Sequence, residues 1–496
     1  MEIKVKENHF VEYTDKETFS KIVNYPTLVD MWKNCVKEYS SAIAIQDGEE
    51  YTYERLDKDV AEFRGVLANA GIKKGDKVGV VIPSSYNFAK VFLAIETLGA
   101  VGVLIPVQLD EKTIFGCTQK FGIKAVVFAD ELEAKMSVVK AMNVPAIKAT
   151  ETAVAVEMAE VGEEDPCVIL FTGGTTGRSK GALLSHKAVM AGVVNGCYGT
   201  KDVFGQRYFL ILPLTHVFGL IRSFLTGLYT GSVIYICRDL KNMFKEMAVF
   251  SPTILVMVPA LAEMALNLSK QIGQHILGRN LRTIICGASM VPPFLVREYN
   301  KLGVSLLPGY GLTESANLVS GNPEALKKPE AVGFPYPNQE LKIVDGELWL
   351  KGDNIMTCYV GDEEENKNAF EDGWFKTGDL VRIDEEGFLY IVGRIKEVIV
   401  LSSGENVSPA EIEDKFCMLD FISDAMVYED FDDAGNQTLT LEVVRRVGFN
   451  IPESEMRAEI NNVNSKLLSY QRVSKVIIRD SDFERTPAMK KIRKKK

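Results

Sequence analysis

The stretch Leu170-Phe171-Thr172-Gly173-Gly174-Thr175-Thr176-Gly177-Arg178-Ser179-Lys180-Gly181 sets four glycines, three threonines, a serine and two cations between two apolar runs. A Gly-rich turn between a strand and a helix can aim several backbone N–H groups inward. That makes an anion nest, with phosphate the usual guest. The Thr and Ser hydroxyls add donors, Arg178 and Lys180 add positive charge, and the glycines let the backbone approach a ligand closely. The run 167–171 reads as a buried strand and the run from Ser185 onward as a helix. A Walker loop is ruled out because no Gly-Lys-Ser/Thr follows the glycines, and no G-x-G-x-x-G occurs to make a dinucleotide fingerprint.

Further stretches could carry chemistry. Gly309-Tyr310-Gly311-Leu312-Thr313-Glu314 follows an apolar run, and Glu314 takes the place a dinucleotide motif would give to its third glycine. Pro213-Leu214-Thr215-His216-Val217-Phe218-Gly219-Leu220 holds a lone histidine among apolar residues, more often a structural position than a catalytic one. Gly287-Ala288-Ser289 closes a strand over 283–286, where small residues leave room for a ligand. Gly373-Trp374-Phe375-Lys376-Thr377-Gly378-Asp379-Leu380 carries a carboxylate with no partner in its own motif. Near the end stand Arg485-Thr486-Pro487-Ala488-Met489-Lys490, followed by a tail, 494–496, that reads as solvated basic residues.

Taken in order, these stretches resemble the adenylate-forming superfamily: acyl- and aryl-CoA synthetases, luciferases and peptide-synthetase adenylation domains. The family's phosphate signature runs [YF]-T-S-G-[ST]-T-G-x-P-K-G. Here Gly173 replaces its Ser and Ser179 its Pro, so one hydroxyl donor and one rigid turn residue are lost. The resemblance implies an ATP-dependent acyl-CoA synthetase of the fatty-acid or aryl-acid type. It would use Mg²⁺, and coenzyme A as co-substrate.

By the same resemblance, Thr172, Gly173, Gly174, Thr175, Thr176, Gly177 and Lys180 bind the phosphates. Gly287, Ala288 and Ser289 sit beside the adenine and the acyl group. Gly309, Tyr310, Gly311 and Leu312 complete the nucleotide site, with Tyr310 stacked on adenine. Thr313 would donate to the α-phosphate, and Glu314, with Thr175, would hold the metal, since a hard carboxylate suits a hard cation. Asp379 would accept from both ribose hydroxyls, which a carboxylate does naturally for a vicinal diol, with Arg394 assisting. His216, Val217, Phe218, Leu220 and Ala316 would line the acyl pocket, His216 as gate or wall and not as general base. Lys490 is the expected active-site lysine, with Lys491 as a second register. Lys396 aligns with the hinge residue, and Gly404, in 402–413, would let the backbone approach a pantetheine arm. In the family the small domain swings between half-reactions to withdraw the lysine and admit the thiol. Two other readings stand beside this one: a stand-alone adenylating enzyme loading an acyl carrier protein, and a degenerate nucleotide-binding homologue. Phe218, Leu220 and Met290 suggest an apolar acyl or aryl group, and no acidic residue in 216–220 could pair with an amino acid's ammonium.

The rest of the chain must position these groups. Its 496 residues exceed one ordinary domain. A composition 46% hydrophobic and 25% charged is globular, and the net charge of −10 argues against general nucleic-acid binding. Eight scattered cysteines without a C-x-x-C read as buried, reduced thiols, and the four histidines show no metal-ligand spacing. No apolar signal core opens the chain, and the run 98–109 is too short to span a bilayer, so a cytoplasmic enzyme is expected. Helices are expected over 28–39 and 53–70. Continuous apolar strands over 78–82, 125–128, 168–171, 209–212, 233–236, 254–258 and 283–286 alternate with helical stretches, which implies parallel sheets covered on both faces. After about residue 332 short strands between Gly/Asp turns point to antiparallel structure. The expected architecture is α/β. Residues 1–393 would form two stacked α/β subdomains with a small antiparallel β-barrel, and 394–496 a small mobile α+β lid.

Overall fold

The computed structural model describes residues 2–3, 9–172, 180–272, 276–402, 405–432, 435–449, 451–484 and 491–492. Two large sheets dominate. One has nine strands in the order Phe334–Pro335, Ser320–Gly321, Ser305–Tyr310, Thr283–Cys286, Ile254–Met257, Arg207–Leu210, Val233–Ile236, Ile43–Asp47, Glu49–Thr52. From Ser305–Tyr310 to Ile43–Asp47 the pairing is parallel. The second has seven: Cys358–Tyr359, Lys180–Ser185, Pro166–Thr172, Val101–Leu104, Lys77–Val81, Ala125–Phe128, Ala146–Lys148. The apolar runs 125–128, 233–236 and 283–286 are strands over those residues. Ala125–Phe128 is buried throughout, as a strand covered on both faces must be.

The helix Tyr86–Thr97 explains how the two sheets stack. Apart from Asn87 it is buried all round, and it packs against Ile43–Asp47 of one sheet and against Lys77–Val81 and Val101–Leu104 of the other. Ser85 starts it by accepting a hydrogen bond from the Phe88 N–H. One hydrophobic core runs through both sheets. An antiparallel sheet of six strands follows, built from Glu2–Ile3, Gln339–Val344, Glu347–Gly352, Phe370–Glu371, Trp374–Ile383 and Leu389–Arg394. The C-terminal segment has its own core beneath the strands Ile422–Phe431, Gln437–Arg445 and Lys475–Arg479. No helix among the described residues is long and apolar enough to cross a membrane.

The strand Pro166–Thr172 does not turn directly into a helix. Lys180–Ser185 returns beside it as an antiparallel strand, with Thr172 opposite Lys180. Gly181 sits against buried Ile169 and Phe121 and, with Ala182, belongs to the sheet. The helix His186–Asn195 starts only afterwards, capped by the Ser185 hydroxyl on the Ala188 N–H. Likewise the strand before the second motif runs on through Gly309 and Tyr310, because those residues pair with Gly321 and Ser320. All eight cysteines are free, and Cys358 alone is not buried.

Candidate active site

Gly173, Gly174, Thr175, Thr176 and Gly177 lie outside the described residues, as do Arg178, Ser179, Gly404 and Lys490. Thr172 and Lys180, which flank residues 173–179, are described and stand opposite each other on antiparallel strands. Lys180 is mostly buried. Its Nζ lies 2.5 Å from the Glu365 carboxylate and 4.8 Å over the Tyr359 ring. The Tyr359 hydroxyl in turn donates to Glu314 Oε1 at 2.7 Å. Burial pushes the Tyr359 phenol above its ordinary range, and the Glu314 charge adds to it. The chain around Tyr359 is stitched to both neighbours. Val360 N–H donates to the Gly181 carbonyl, Thr357 N–H to that of Leu183, and Met356 N–H to that of Glu314. Tyr359 and Glu365 were invisible to motif reading, since they stand 45 and 51 residues beyond Glu314 and meet the motif residues Glu314 and Lys180 in space.

Tyr310 stands four residues before Glu314, a length of chain that reaches about 14 Å at most. Its hydroxyl donates to Asp379 Oδ2 at 2.6 Å, and Arg394 Nε donates to Oδ1 at 2.7 Å. Asp379, without a partner in its own motif, therefore finds charged and polar partners on other segments. The partner is supplied by the neighbouring strand, where Arg394 sits directly opposite Asp379. The Asp379 side chain is 2% exposed. Asp379 makes the Arg394 guanidinium more basic than usual against the opposing effect of burial. Burial first, and the Asp379 charge second, push the Tyr310 phenol up. Each carboxylate oxygen has a second lone pair, so ribose hydroxyls can still be accepted.

Local backbone keeps this corner tight. A Cβ on Gly311 would stand 1.3 Å from the Asn317 carbonyl oxygen, so only glycine fits. After Thr313, Glu314 and Ser315 the chain turns through Ala316 and Asn317, both left-handed with φ of 48° and 83°. Ala316 is fully buried. Gly287 is buried, whereas Ala288, with φ of 67°, and Ser289 are exposed beyond it. His216 Nδ1 accepts from the Phe218 N–H at 3.2 Å, which uses that nitrogen as an acceptor and leaves the ring's proton for Nε2. Val217 and Phe218 are almost fully buried and Leu220 wholly so. Leu220 belongs to the core, and Met290 is 44% exposed.

The last candidates separate. Lys396 is exposed, just after the strand ending at Arg394. Lys491 ion-pairs with Asp424 at 2.8 Å and Glu413 at 3.2 Å and also donates to the Ala425 carbonyl. Those carboxylates belong to the C-terminal segment and hold the Lys491 ammonium well above its ordinary basicity against strong desolvation.

A trio of metal-ligand type occurs where spacing showed none. Glu96, Cys167 and His186 are fully buried, with one donor atom from each within 4.8 Å of the others. The Cys167 thiol donates to Glu96 at 3.0 Å. Burial pushes the Glu96 carboxyl well up and lowers His186 to about 4, favouring the neutral form of each. They come from a helix, a strand and a second helix, and sequence spacing could not have grouped them.

Parallel-rich sheets, a Thr-Glu corner and a buried carboxylate–arginine pair lie together in this α/β fold. Residues 32–360 match the family model described as AMP-binding enzyme. A probable CoA ligase from Humulus lupulus is 30% identical over 493 residues, covering 90% of this chain and 88% of the relative. A long-chain-fatty-acid–CoA ligase from Escherichia coli is 30% identical, covering 79% of this chain and 80% of the relative. In fold the chain is similar to an anthranilate CoA ligase solved with anthranoyl-AMP, with TM-score 0.84, 20% identity and coverage of 95% and 96%. It is also similar to a fatty acyl CoA synthetase from Mycobacterium tuberculosis, with TM-score 0.73, 25% identity and coverage of 94% and 97%. The chain belongs to the AMP-binding enzyme family, and by class it is an acid–thiol ligase.

Proposed function

We propose that this protein is an ATP-dependent acyl-CoA synthetase. A carboxylic acid with an aliphatic or aryl body attacks the α-phosphorus of ATP and pyrophosphate leaves. The thiol of coenzyme A then attacks the acyl carbonyl and AMP leaves. One observation carries the reading. The hairpin end at Lys180 reaches Glu314 through Tyr359, and Glu314 is joined by a short chain to the Tyr310–Asp379–Arg394 cluster. A single nucleotide is long enough to touch all three.

The residues take complementary parts. Asp379 accepts from the ribose hydroxyls, and Arg394 keeps that carboxylate charged and oriented. Tyr310 packs against the base with its hydroxyl held on Asp379. Thr172, Lys180 and the turn between them hold phosphate oxygens, and Thr313 donates to the α-phosphate. Lys490 bridges the acid and the α-phosphate, so that attack is held in line. Fixed donors in a water-poor site act more strongly than the same donors in water. Glu314 fits a magnesium ion: it is partly exposed, and the Tyr359 hydroxyl fixes one oxygen. Glu314 and Thr175 would hold the ion, which neutralises phosphate charge when bound.

Residues 394–496 act as a lid on a hinge at Lys396. It withdraws Lys490 after the first half-reaction and brings the Gly404 loop to the thiol path. Free cysteines throughout suit a reducing cytoplasm. The test compares acid-dependent AMP release with coenzyme A and with a phosphopantetheinylated carrier protein. Release with coenzyme A is expected; release only with the carrier would replace the acceptor, and release with neither would end the ligase reading.

A further inference from the structure

The buried acidic side chains among the described residues are Asp47, Glu96, Asp379, Glu413 and Glu442. All but Glu96 have a cation. Arg238 pairs with Asp47, Arg394 with Asp379, Lys491 with Glu413 and Arg479 with Glu442. Glu96 is fully buried and has no cation among the described residues. Its Oε2 accepts from the Cys167 thiol at 3.0 Å, and the Gly102 N–H lies on the same carboxyl. Its Oε1 has no hydrogen-bond partner among the described residues, and neither has either ring nitrogen of His186 beside it. A neutral imidazole carries one N–H to donate and one lone pair to fill, and burying it with neither engaged is unfavourable.

These unengaged atoms converge. Glu96 lies in the last turn of the helix Tyr86–Thr97, Cys167 is the second residue of the strand Pro166–Thr172, and His186 is the first of the helix His186–Asn195. One donor atom from each lies within 4.8 Å of the others. The backbone N–H of His186 donates to the Asp165 carbonyl, which fixes where the imidazole starts. A Cβ at Gly102 would stand 3.1 Å from Glu96 Oε1, so the glycine keeps that oxygen clear. Thiol sulfur, imidazole nitrogen and two carboxylate oxygens make a complete set of zinc donors. Zinc bonds of roughly 2.0–2.3 Å hold tetrahedral donors about 3.3–3.6 Å apart, so small side-chain rotations close this set around an ion.

We infer that Glu96, Cys167 and His186 bind one zinc ion as a structural site, separate from the nucleotide site. On binding, the Cys167 thiol and the Glu96 carboxyl each release a proton, and the resulting thiolate and carboxylate balance the two charges of the ion inside the core. A His186 nitrogen gives its lone pair, and both Glu96 oxygens complete a four-donor shell. No position is left open for a water or a substrate, which is the pattern of a structural and not a catalytic zinc. Sulfur and nitrogen donors select zinc against magnesium and calcium. The ion ties the helix that stacks the two sheets to the strand leading to Thr172 and to the helix after Ser185. Cys167 stands five strand residues before Thr172, about 16 Å, so the ion is out of reach of the phosphates. His186 titrates only in the metal-free chain.

The experiment uses the full-length protein, purified from cells grown in minimal medium with added zinc or added cobalt and washed with EDTA. Atomic emission should find about one zinc per chain, and X-ray absorption at the zinc edge should show one sulfur at roughly 2.3 Å with nitrogen and oxygen at roughly 2.0–2.2 Å. The cobalt form should show a thiolate-to-cobalt charge-transfer band. Cys167→Ser should lose that band and bind zinc about a hundredfold or more weakly, since a direct ligand matters at least as much as an outer-shell partner. Cys358→Ser, which alters the one cysteine that is not buried, should change neither. The X-ray absorption is taken on wild type, so it decides the matter even where Cys167→Ser fails to fold. Less than about one zinc per ten chains, a shell without sulfur, or a metal content unchanged in folded Cys167→Ser would overturn the inference. The ligase reading stands or falls separately, on pyrophosphate exchange.

Discussion

Asp379→Asn keeps the shape of the side chain and removes its charge. In the folded protein Asp379 Oδ1 takes Arg394 Nε at 2.7 Å and Oδ2 takes the Tyr310 hydroxyl at 2.6 Å. Either orientation of an asparagine amide disrupts this: the NH₂ group faces the guanidinium or competes with the tyrosine. Breaking a fully buried ion pair costs roughly 3–5 kcal/mol. The Arg394 side chain is 34% exposed, so water takes over part of the lost contact, and about 2 kcal/mol is a better expectation. Arg394→Gln should cost a similar amount. The double variant should cost less than the sum, because the two share one interaction.

Substrate binding reports separately. Two hydrogen bonds from ribose to a charged acceptor are worth about 1.5–3 kcal/mol each, so KM for ATP should rise about tenfold or more. The informative assay is pyrophosphate exchange with ATP and with 2′-deoxy-ATP in wild type and Asp379→Asn. Wild type should lose activity on the deoxynucleotide, and the variant should lose little further. If the two losses multiply independently, or KM for ATP moves less than threefold, Asp379 does not hold the ribose.

Other outcomes follow from the same geometry. Lys396→Pro should leave pyrophosphate exchange largely intact and lower thioester formation by about tenfold or more, as expected when a hinge is stiffened; equal loss of both would end the two-pose account. Glu263→Gln leaves Arg446, whose guanidinium lies 3.4 Å over the Phe294 ring, without its carboxylate. It should loosen the C-terminal segment from the helices Pro259–Ile272 and Pro293–Lys301 by about 2 kcal/mol, read as faster proteolysis within 394–449. Burial lowers His186 to about 4, below its unfolded value, so the unfolded chain binds the extra proton between about pH 6.5 and 4. Stability should therefore fall as pH falls through that window, by up to about 1.4 kcal/mol per pH unit from this group, and His186→Gln should flatten the slope in urea titrations.

The sheets were legible wherever the core imposed an uninterrupted apolar run, on both faces in the case of Ala125–Phe128. Ala125–Phe128, Val233–Ile236 and Thr283–Cys286 stand where the sequence places them. Lys180–Ser185 was not, because Gly181 and Ala182 are small for a reason periodicity cannot show: Phe121 fills the space beside residue 181. Candidate residues inside motifs could be named from the sequence. Their partners could not. Tyr359 and Glu365 reach Lys180 from a separate segment, and Arg394 meets Asp379 through strand pairing.

The most direct measurement of the central claim is acid-dependent ATP–pyrophosphate exchange in wild type and in Lys180→Met, Glu314→Gln and Asp379→Asn. Exchange that requires a carboxylic acid, and that drops by about tenfold or more in every variant, is the predicted result. Exchange surviving at wild-type rate in any one of them would show that the hairpin, the Thr-Glu corner and the buried carboxylate do not serve one nucleotide.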